Sequence, residues 1–214
     1  MKKFWGFLLV IVLMTSCGEY QSLLKSNDYN LVYKKAIEYY NKGDYQRAMN
    51  LLDGVRSVFV GQAKAQNIAY YRAFCSYNMK DYQIASDLFK QFIQTYPESS
   101  FAEECLYMMG FCDYKASPKP RLDQQVTEKA IREFQLYLSR YPYSMRKDKV
   151  NTYMDEMRDK LSYKAYLSAK NYYLREHYKA AVISLQNCLK DYPGSKYREE
   201  IIYVVRIEIS DGGE

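Results

Sequence analysis

The sequence is poor in the residues that end helices and make tight turns. Its 214 residues include nine glycines and five prolines, against 25 tyrosines and a hydrophobic fraction of 48%. An all-β fold needs many turns, which glycine and proline supply, so this composition favours helices lined with amphipathic aromatic side chains.

The sequence also lacks the patterns of a metal or redox site. Its five cysteines form no CxxC pair, which argues against a zinc site or a redox dithiol. Cys17 stands apart near the N-terminus, and the others fall within helical patterns: Cys75, Cys105, Cys112 and Cys188. We expect these four to be buried thiols, and we expect no metal site.

Recognisable catalytic arrangements are absent as well. No GxGxxG, P-loop, HExxH, GxSxG or paired-carboxylate pattern occurs, and the only histidine, His177, falls in a predicted turn without a second ligand nearby. Catalysis needs a nucleophile, base or metal within mutual reach. We therefore expect a non-enzymatic protein without catalytic residues or cofactors. The formal net charge of +6 is too modest to indicate a nucleic-acid partner.

The N-terminal residues have the pattern of a secretory signal. Lys2 and Lys3 precede an apolar run from Phe4 to Met14, and Thr15-Ser16 leads to Cys17. That run is shorter than the roughly 20 residues that span a bilayer, so a removed signal peptide is favoured over a transmembrane helix. Residues 13–17 resemble a bacterial lipobox. Residues 1–16 are thus predicted to be a lipoprotein signal peptide, with Cys17 the lipid-attachment site.

Lipid attachment predicts where the protein resides. Several acyl chains on one residue supply more than the two signals that stable anchoring needs. Gly18 follows the cysteine, in place of the aspartate that resembles an inner-membrane retention signal, so we expect the periplasmic face of the outer membrane. Residues 17–28 are predicted to be a lipidated tether, polar from Glu19 to Asp28. A secreted protein with a chance cysteine is the alternative.

The chain repeats itself with a period of 37 residues. Ten positions between Asn30 and Leu51 hold the same residue 37 positions later, between Asn67 and Leu88. A Tyr-Pro-x-Ser sequence closes units at residues 96–99, 141–144 and 192–195, where proline ends the preceding helix. Each unit therefore consists of a predicted helix, a break and a second helix.

These positions resemble the tetratricopeptide repeat, with a small residue in the first helix, tyrosine then alanine opening the second, and a final proline. We predict an all-α fold, a tetratricopeptide-repeat superhelical solenoid of antiparallel helix pairs. The predicted units are residues 29–62, 66–99, 101–144 with an insertion, 145–196 with an extended first helix, and 197–214 as a partial or truncated fifth repeat.

Tyrosines recur at two positions of the first helix in each unit, seven residues apart. Seven residues make about two turns, so both rows share a face. In tetratricopeptide proteins this helix lines the concave surface where an extended peptide can bind, and tyrosine offers a large contact area at low entropy cost. Packing between adjacent helices is the alternative role. The predicted groove residues are Asn30, Tyr33, Tyr40, Asn41, Asn67, Tyr70, Tyr77, Asn78, Tyr107 and Tyr114.

A more specific set of residues extends over the whole chain. It comprises Cys17 followed by Tyr20, Asp81-Tyr82-Gln83-Ile84-Ala85, Tyr107-Met108-Met109-Gly110, and a long third unit with Asp123 that ends in Arg140-Tyr141-Pro142. In these features the chain resembles the BamD family, also called YfiO, the tetratricopeptide lipoproteins of the outer-membrane β-barrel assembly machinery.

The resemblance implies a partner for each half of the chain. The N-terminal repeats are expected to receive targeting segments of unfolded outer-membrane proteins at the tyrosine and asparagine positions above. The C-terminal repeats are expected to dock the POTRA domains of the barrel subunit BamA, beside other assembly subunits. Arg158 and Lys160 are the candidate docking residues. Lys160 stands where relatives tend to have arginine, and lysine lacks the bidentate fork of arginine.

Two alternatives remain open. A pilotin or a cell-wall coordinator built on the same repeats would also be a lipid-anchored adaptor, and its partner would be a secretin or a peptidoglycan synthase. An enzyme such as a wall hydrolase would show turnover that a single side-chain change abolishes.

Overall fold

The computed structural model describes residues 18–210, with side chains as far as residue 206. Every regular element in this range is a helix, which confirms the predicted all-α fold. The helices are α1 (residues 18–24), α2 (Tyr29–Asn41), α3 (Tyr45–Val55), α4 (Ala63–Asn78), α5 (Tyr82–Thr95), α6 (Ala102–Ala116), α7 (Gln125–Arg140), α8 (Lys147–Leu174), α9 (Tyr178–Asp191) and α10 (Arg198–Ser210).

Consecutive helices pack as pairs, most extensively α2 with α3, α4 with α5, and α8 with α9. This pairing is that of tetratricopeptide-like repeats, although the exact limits of the repeats stay a prediction. The chain divides into two compact units, Met1–Met108 and Met109–Glu214, and the division falls within α6. In residues 18–210 no helix is long and apolar enough to cross a membrane.

The breaks inside the repeats are fixed by their sequence. Asp28 and Asp44 precede α2 and α3, and their carboxylates accept hydrogen bonds from the backbone N–H groups of Leu31 and Arg47, at 3.0 and 3.2 Å, which satisfies free donors of the first turn. The turn between α2 and α3 contains Gly43 in the left-handed region, with a φ of 81°. Glycine adopts that conformation without steric cost.

Two further turns also have a residue in the left-handed region at the same position, but that residue is not glycine. Lys80, which is 37 residues after Gly43, has a φ of 68°, and Glu176 in the turn before α9 has a φ of 63°. Residues with a Cβ atom are strained in this region. The repeat therefore keeps its turn geometry even where the sequence makes that geometry costly.

Part of the predicted tether, residues 17–28, packs against the first unit. Residues 18–24 form a helix, and Tyr20 and Leu23 are buried in the same core as α2 and α3. Asn50 donates a hydrogen bond to the Tyr20 hydroxyl at 3.0 Å, and Lys35 forms an ion pair with Glu19 at 2.9 Å. Two apolar residues three positions apart make one side of this short helix apolar, and burying that side fixes the segment to the repeat.

In the second unit, Gly110 of α6 lies against the ring of Phe134 in α7. A Cβ atom at position 110 would stand 2.9 Å from Phe134 Cδ1, closer than van der Waals contact permits. The small residue therefore lets the two helices of the third repeat approach each other. Farther along, α8 is a single helix of 28 residues, as the charged stretch before the fourth unit predicts.

The four cysteines in the described residues, at positions 75, 105, 112 and 188, are free and buried. Burial raises the pKa of each thiol, to about 12 for Cys75 and Cys105. The thiolate is the reactive form of cysteine, so these residues serve as core side chains. Their prediction as buried thiols is confirmed.

Candidate functional site

The predicted groove residues of α2 lie partly inside the first unit. Tyr33 is half-buried and packs edge-on against Phe59, with ring centroids 6.2 Å apart. Burial raises the pKa of Tyr33, and the neighbouring Asn67 side chain opposes that shift. The Lys64 ammonium lies 5.8 Å from the Tyr33 ring centroid and donates a hydrogen bond to Asn30 at 2.6 Å. Asn30 and Asn67 thus connect α2 with α4.

Tyr40 occupies the second position of the row on α2. Its ring contacts those of Tyr45 and Tyr71, with centroids 5.5 and 4.9 Å away. Its hydroxyl accepts a hydrogen bond from the Asn78 side chain at 3.5 Å. Burial raises the pKa of Tyr40 to about 12. Asn41 beside it is exposed.

Tyr70 of α4 lies in an aromatic cluster. Its ring centroid is 4.6 Å from those of both Phe74 and Phe101, and its hydroxyl donates a hydrogen bond to Glu104 at 2.8 Å. Burial, and next the Glu104 carboxylate, raise the pKa of Tyr70. Tyr77 is half-buried, and its ring lies 5.8 Å from that of Tyr82.

These hydroxyl contacts follow a rule that the sequence repeat did not reveal. A first-helix tyrosine reaches a polar side chain in the first helix of the following repeat. The observed pairs are Tyr33 with Asn67, Tyr40 with Asn78, Tyr70 with Glu104, Tyr114 with Glu156, and Tyr166 with Glu200. Three of these pairs are 34 residues apart. The hydroxyls thus link successive repeats within each unit.

The structure places the other predicted groove tyrosines at different depths. Tyr107 is buried, with 8% of its surface exposed. Tyr114 is half-buried, stacks against Phe111 and donates its hydroxyl proton to Glu156. A ligand on this row would therefore contact partly exposed rings more than hydroxyl groups. The asparagine side chains at positions 30 and 41 are the exposed polar groups of the predicted set.

The two candidate docking residues on α8 differ in environment. Arg158 is exposed and forms an ion pair with Asp155, one turn earlier, at 2.9 Å. Lys160 is half-buried, and its ammonium group donates a hydrogen bond to the Ser117 hydroxyl at 2.6 Å. Burial lowers the pKa of Lys160. Lys160 therefore holds the segment around Ser117, which is part of the insertion in the third repeat, against α8, whereas Arg158 faces solvent.

Arg158 borders a cleft that sequence reasoning missed. The cleft has a volume of about 720 Å³ and lies between α8 and the turn that follows α9. Its charged lining residues are Asp155, Arg158, Asp159, Asp191 and Lys196. The charges come from segments more than thirty residues apart, so no local pattern in the sequence identifies them as neighbours.

A buried pair of carboxyl groups was missed as well. Asp113 of α6 and Glu133 of α7 are 1% and 8% exposed. The Lys129 ammonium lies 2.9 Å from Asp113 Oδ2 and 3.6 Å from Glu133 Oε1. Burial, and next the Asp113 carboxylate, raise the pKa of Glu133 to about 8, against the opposing effect of Lys129. The sequence signal that could have identified this pair is Glu133 itself, an acidic residue on the apolar stripe of α7 next to Phe134.

Among residues 18–206, no three histidine, cysteine, aspartate or glutamate side chains are grouped so that they could hold a metal ion. The predicted lipid-attachment residue, Cys17, and the predicted signal peptide, residues 1–16, lie outside the described part of the chain.

Comparison with known proteins covers both units. The model of one protein family, YfiO, described as an outer membrane lipoprotein, matches residues 25–209. A search of curated proteins finds no match.

Proposed function

Because the chain belongs to the YfiO family of outer membrane lipoproteins, we propose that it is an assembly factor for outer-membrane proteins. In this role it is anchored by lipid on Cys17 at the periplasmic face of the outer membrane. It binds the POTRA domains of a BamA-like barrel subunit and receives unfolded outer-membrane proteins. The observation that carries the proposal is the family match over residues 25–209, which includes every complete helix pair.

Clients are proposed to bind along the first helices of the first unit. The rings of Tyr33, Tyr40 and Tyr77 are half-buried there, because each packs against a neighbouring aromatic ring and keeps part of its surface open. Such rings are held rigidly, so a bound peptide pays little for ordering them. The exposed amide of Asn41 supplies a hydrogen-bonding group for a peptide main chain.

The barrel subunit is proposed to dock on the second unit through Arg158. Its guanidinium is exposed at the edge of the charged cleft and can form paired hydrogen bonds with a carboxylate. The existing ion pair with Asp155 spans a single helical turn on the surface, and such pairs are weak. A partner carboxylate can therefore displace Asp155, while Lys160 contributes by holding the inserted segment in place.

The proposed mechanism is binding without turnover. One scaffold that holds both the barrel subunit and its substrate raises the effective concentration of each for the other. Lipid anchoring adds a second constraint, because both meet beside the membrane into which the client is inserted.

The decisive experiment is affinity purification of the membrane-extracted protein followed by mass spectrometry, with Cys17→Ala as the control. We expect a POTRA-containing barrel protein to co-purify with the wild-type chain, and we expect the control to leave the outer-membrane fraction. Recovery of a secretin would instead indicate a pilotin, and recovery of a peptidoglycan synthase would indicate a cell-wall coordinator. Either result would contradict the assembly role and keep the adaptor class.

Client binding is tested with peptides from the targeting segments of outer-membrane proteins, measured by fluorescence anisotropy. We expect Asn41→Ala to weaken binding about fivefold, the effect of one lost hydrogen bond of about 1 kcal/mol. The matched control is Gln46→Ala, which removes an exposed amide from α3. Equal affinities for both variants and the wild type would place the client elsewhere.

A further inference from the structure

Three loops of the chain have the same backbone turn. In each Tyr-Pro-x-Ser sequence the serine N–H donates a hydrogen bond to the tyrosine carbonyl, at 3.1 Å for Ser99 and Ser144 and 3.0 Å for Ser195. Each serine hydroxyl then accepts a hydrogen bond at 3.2 Å from the N–H group two residues later. We call these turns the first, second and third Tyr-Pro loops, at residues 96–101, 141–146 and 192–197.

Because the geometry is shared, two positions of these loops can be compared directly. The residues before and after the serine are Glu98 and Ser100 in the first loop, Tyr143 and Met145 in the second, and Gly194 and Lys196 in the third. All six are exposed. Tyr143 and Met145 are 98% and 97% exposed, the highest values among the large apolar side chains of residues 18–206. Polar residues or glycine support the same turn elsewhere, so folding does not require these two apolar side chains.

The charge around the second loop also differs from that of its counterparts. Residues 140–149 contain four basic residues and one acidic residue. The equivalent residues 95–104 contain three acidic and no basic residues, and residues 191–200 contain three acidic and two basic residues. Basic charge is thus concentrated at the one loop that exposes two apolar side chains. The four basic residues around this loop are Arg140, Arg146, Lys147 and Lys149.

We propose that the second Tyr-Pro loop is a membrane-contact site that inserts Tyr143 and Met145 among the headgroups of an anionic phospholipid leaflet. Tyrosine has an apolar ring and a polar hydroxyl, a combination that favours the membrane–water interface. Methionine is flexible and adapts to an irregular apolar environment. The surrounding lysine and arginine side chains are attracted to lipid phosphates.

The shape of the loop favours a lipid surface over a protein pocket as its occupant. Both apolar side chains lie on a turn, and neighbouring residues cover almost none of their surface. Positive charge lies on both sides of them in the sequence, at Arg140 and at Arg146 to Lys149, which complements an extended negative surface. This inference needs only the membrane location of the family, and it is independent of any barrel subunit or client.

The test uses tryptophan fluorescence of the full lipidated chain reconstituted in vesicles of phosphatidylethanolamine and phosphatidylglycerol. The single tryptophan, Trp5, lies in the predicted signal peptide, so the lipidated chain that begins at Cys17 carries no tryptophan of its own. Tyr143→Trp then reports on the second loop, and Glu98→Trp reports on the first loop as the matched control. Quenching by phosphatidylglycerol with brominated acyl chains measures contact with lipid, and circular dichroism checks folding.

We expect bromine to quench the fluorescence of the Tyr143→Trp chain and its emission to move to shorter wavelength, while the Glu98→Trp chain emits as in water. Equal quenching of both chains, or of neither, overturns the proposal. An emission shift that bromine does not quench also overturns it, because it indicates that the loop inserts into a protein surface.

A double substitution in the second loop region, called the charge variant, tests the role of charge. We expect Lys147→Gln together with Lys149→Gln to lower the ratio of inserted to free loop about 25-fold, since each cation near an anionic leaflet contributes about fivefold. Vesicles of phosphatidylcholine alone are expected to weaken insertion in the unaltered loop. Unchanged quenching in the charge variant would overturn the assignment to an anionic surface. The affinity purification above is unaffected by these outcomes, so the two proposals fail separately.

Discussion

Replacing Glu133 with glutamine is expected to make the protein more stable at neutral pH. In the unfolded chain the Glu133 carboxyl loses its proton above the ordinary value of 4.5, but in the folded chain burial and Asp113 hold the proton until about pH 8. The folded state therefore binds more protons between these two values. The contribution of Glu133 to the free energy of unfolding is therefore fully present below pH 4.5 and is lost as the pH rises towards 8.

The magnitude follows from the width of that window. Each pH unit between the two pKa values costs about 1.4 kcal/mol, which gives about 3 kcal/mol at pH 7. Glu133→Gln keeps the shape of the protonated side chain and removes this cost. We therefore expect a gain of about 2 to 3 kcal/mol in the free energy of unfolding at pH 7, shrinking to about zero near pH 4.5.

Urea unfolding followed by circular dichroism between pH 4.5 and 8 measures this difference. The matched control is Glu128→Gln, because Glu128 is an exposed acid on the same helix; its stability should stay near wild type across the range. If Glu133→Gln instead destabilises the protein at every pH, Glu133 is ionised and held by Lys129, and the reasoning from burial is refuted.

Three further substitutions test the fold. Lys80→Gly should stabilise the protein by up to about 1 kcal/mol in urea unfolding, because glycine accepts the left-handed turn. Gly110→Ala should lower the melting temperature, since overpacking against the Phe134 ring costs about 1 to 3 kcal/mol and outweighs the gain in helix propensity. Tyr70→Phe should cost about 1 to 2 kcal/mol through the lost hydrogen bond to Glu104; an unchanged stability would show that this link between repeats is dispensable.

The helices themselves could be predicted from the sequence, because the signals of the repeat lie close together along the chain. Ten identities at an offset of 37 residues locate α2 to α5, and helix-breaking prolines mark the ends of α5, α7 and α9. The extended α8 also follows from a charged stretch without a breaker. These features depend on periodicity and turn residues, which act over a few positions along the chain.

The partners of the tyrosines were not accessible from the sequence. The hydroxyls of Tyr33, Tyr70 and Tyr166 reach residues 34 positions later, where the side chains are asparagine or glutamate. A change of partner between repeats hides the contact from a search for identical residues. Distance in sequence likewise concealed the burial of Lys160, because the segment that covers it lies 43 residues earlier.

The burial of Tyr20 has a consequence for how the protein would meet its partners. Tyr20, the first core side chain, is three positions after the predicted lipid site, Cys17, and three residue steps span at most about 11 Å even when fully extended. A lipid on Cys17 therefore confines the first helix pair to a thin layer next to the membrane. Partners are then encountered by lateral diffusion, and the encounter rate depends on their density per area of membrane rather than on their concentration in the surrounding solution.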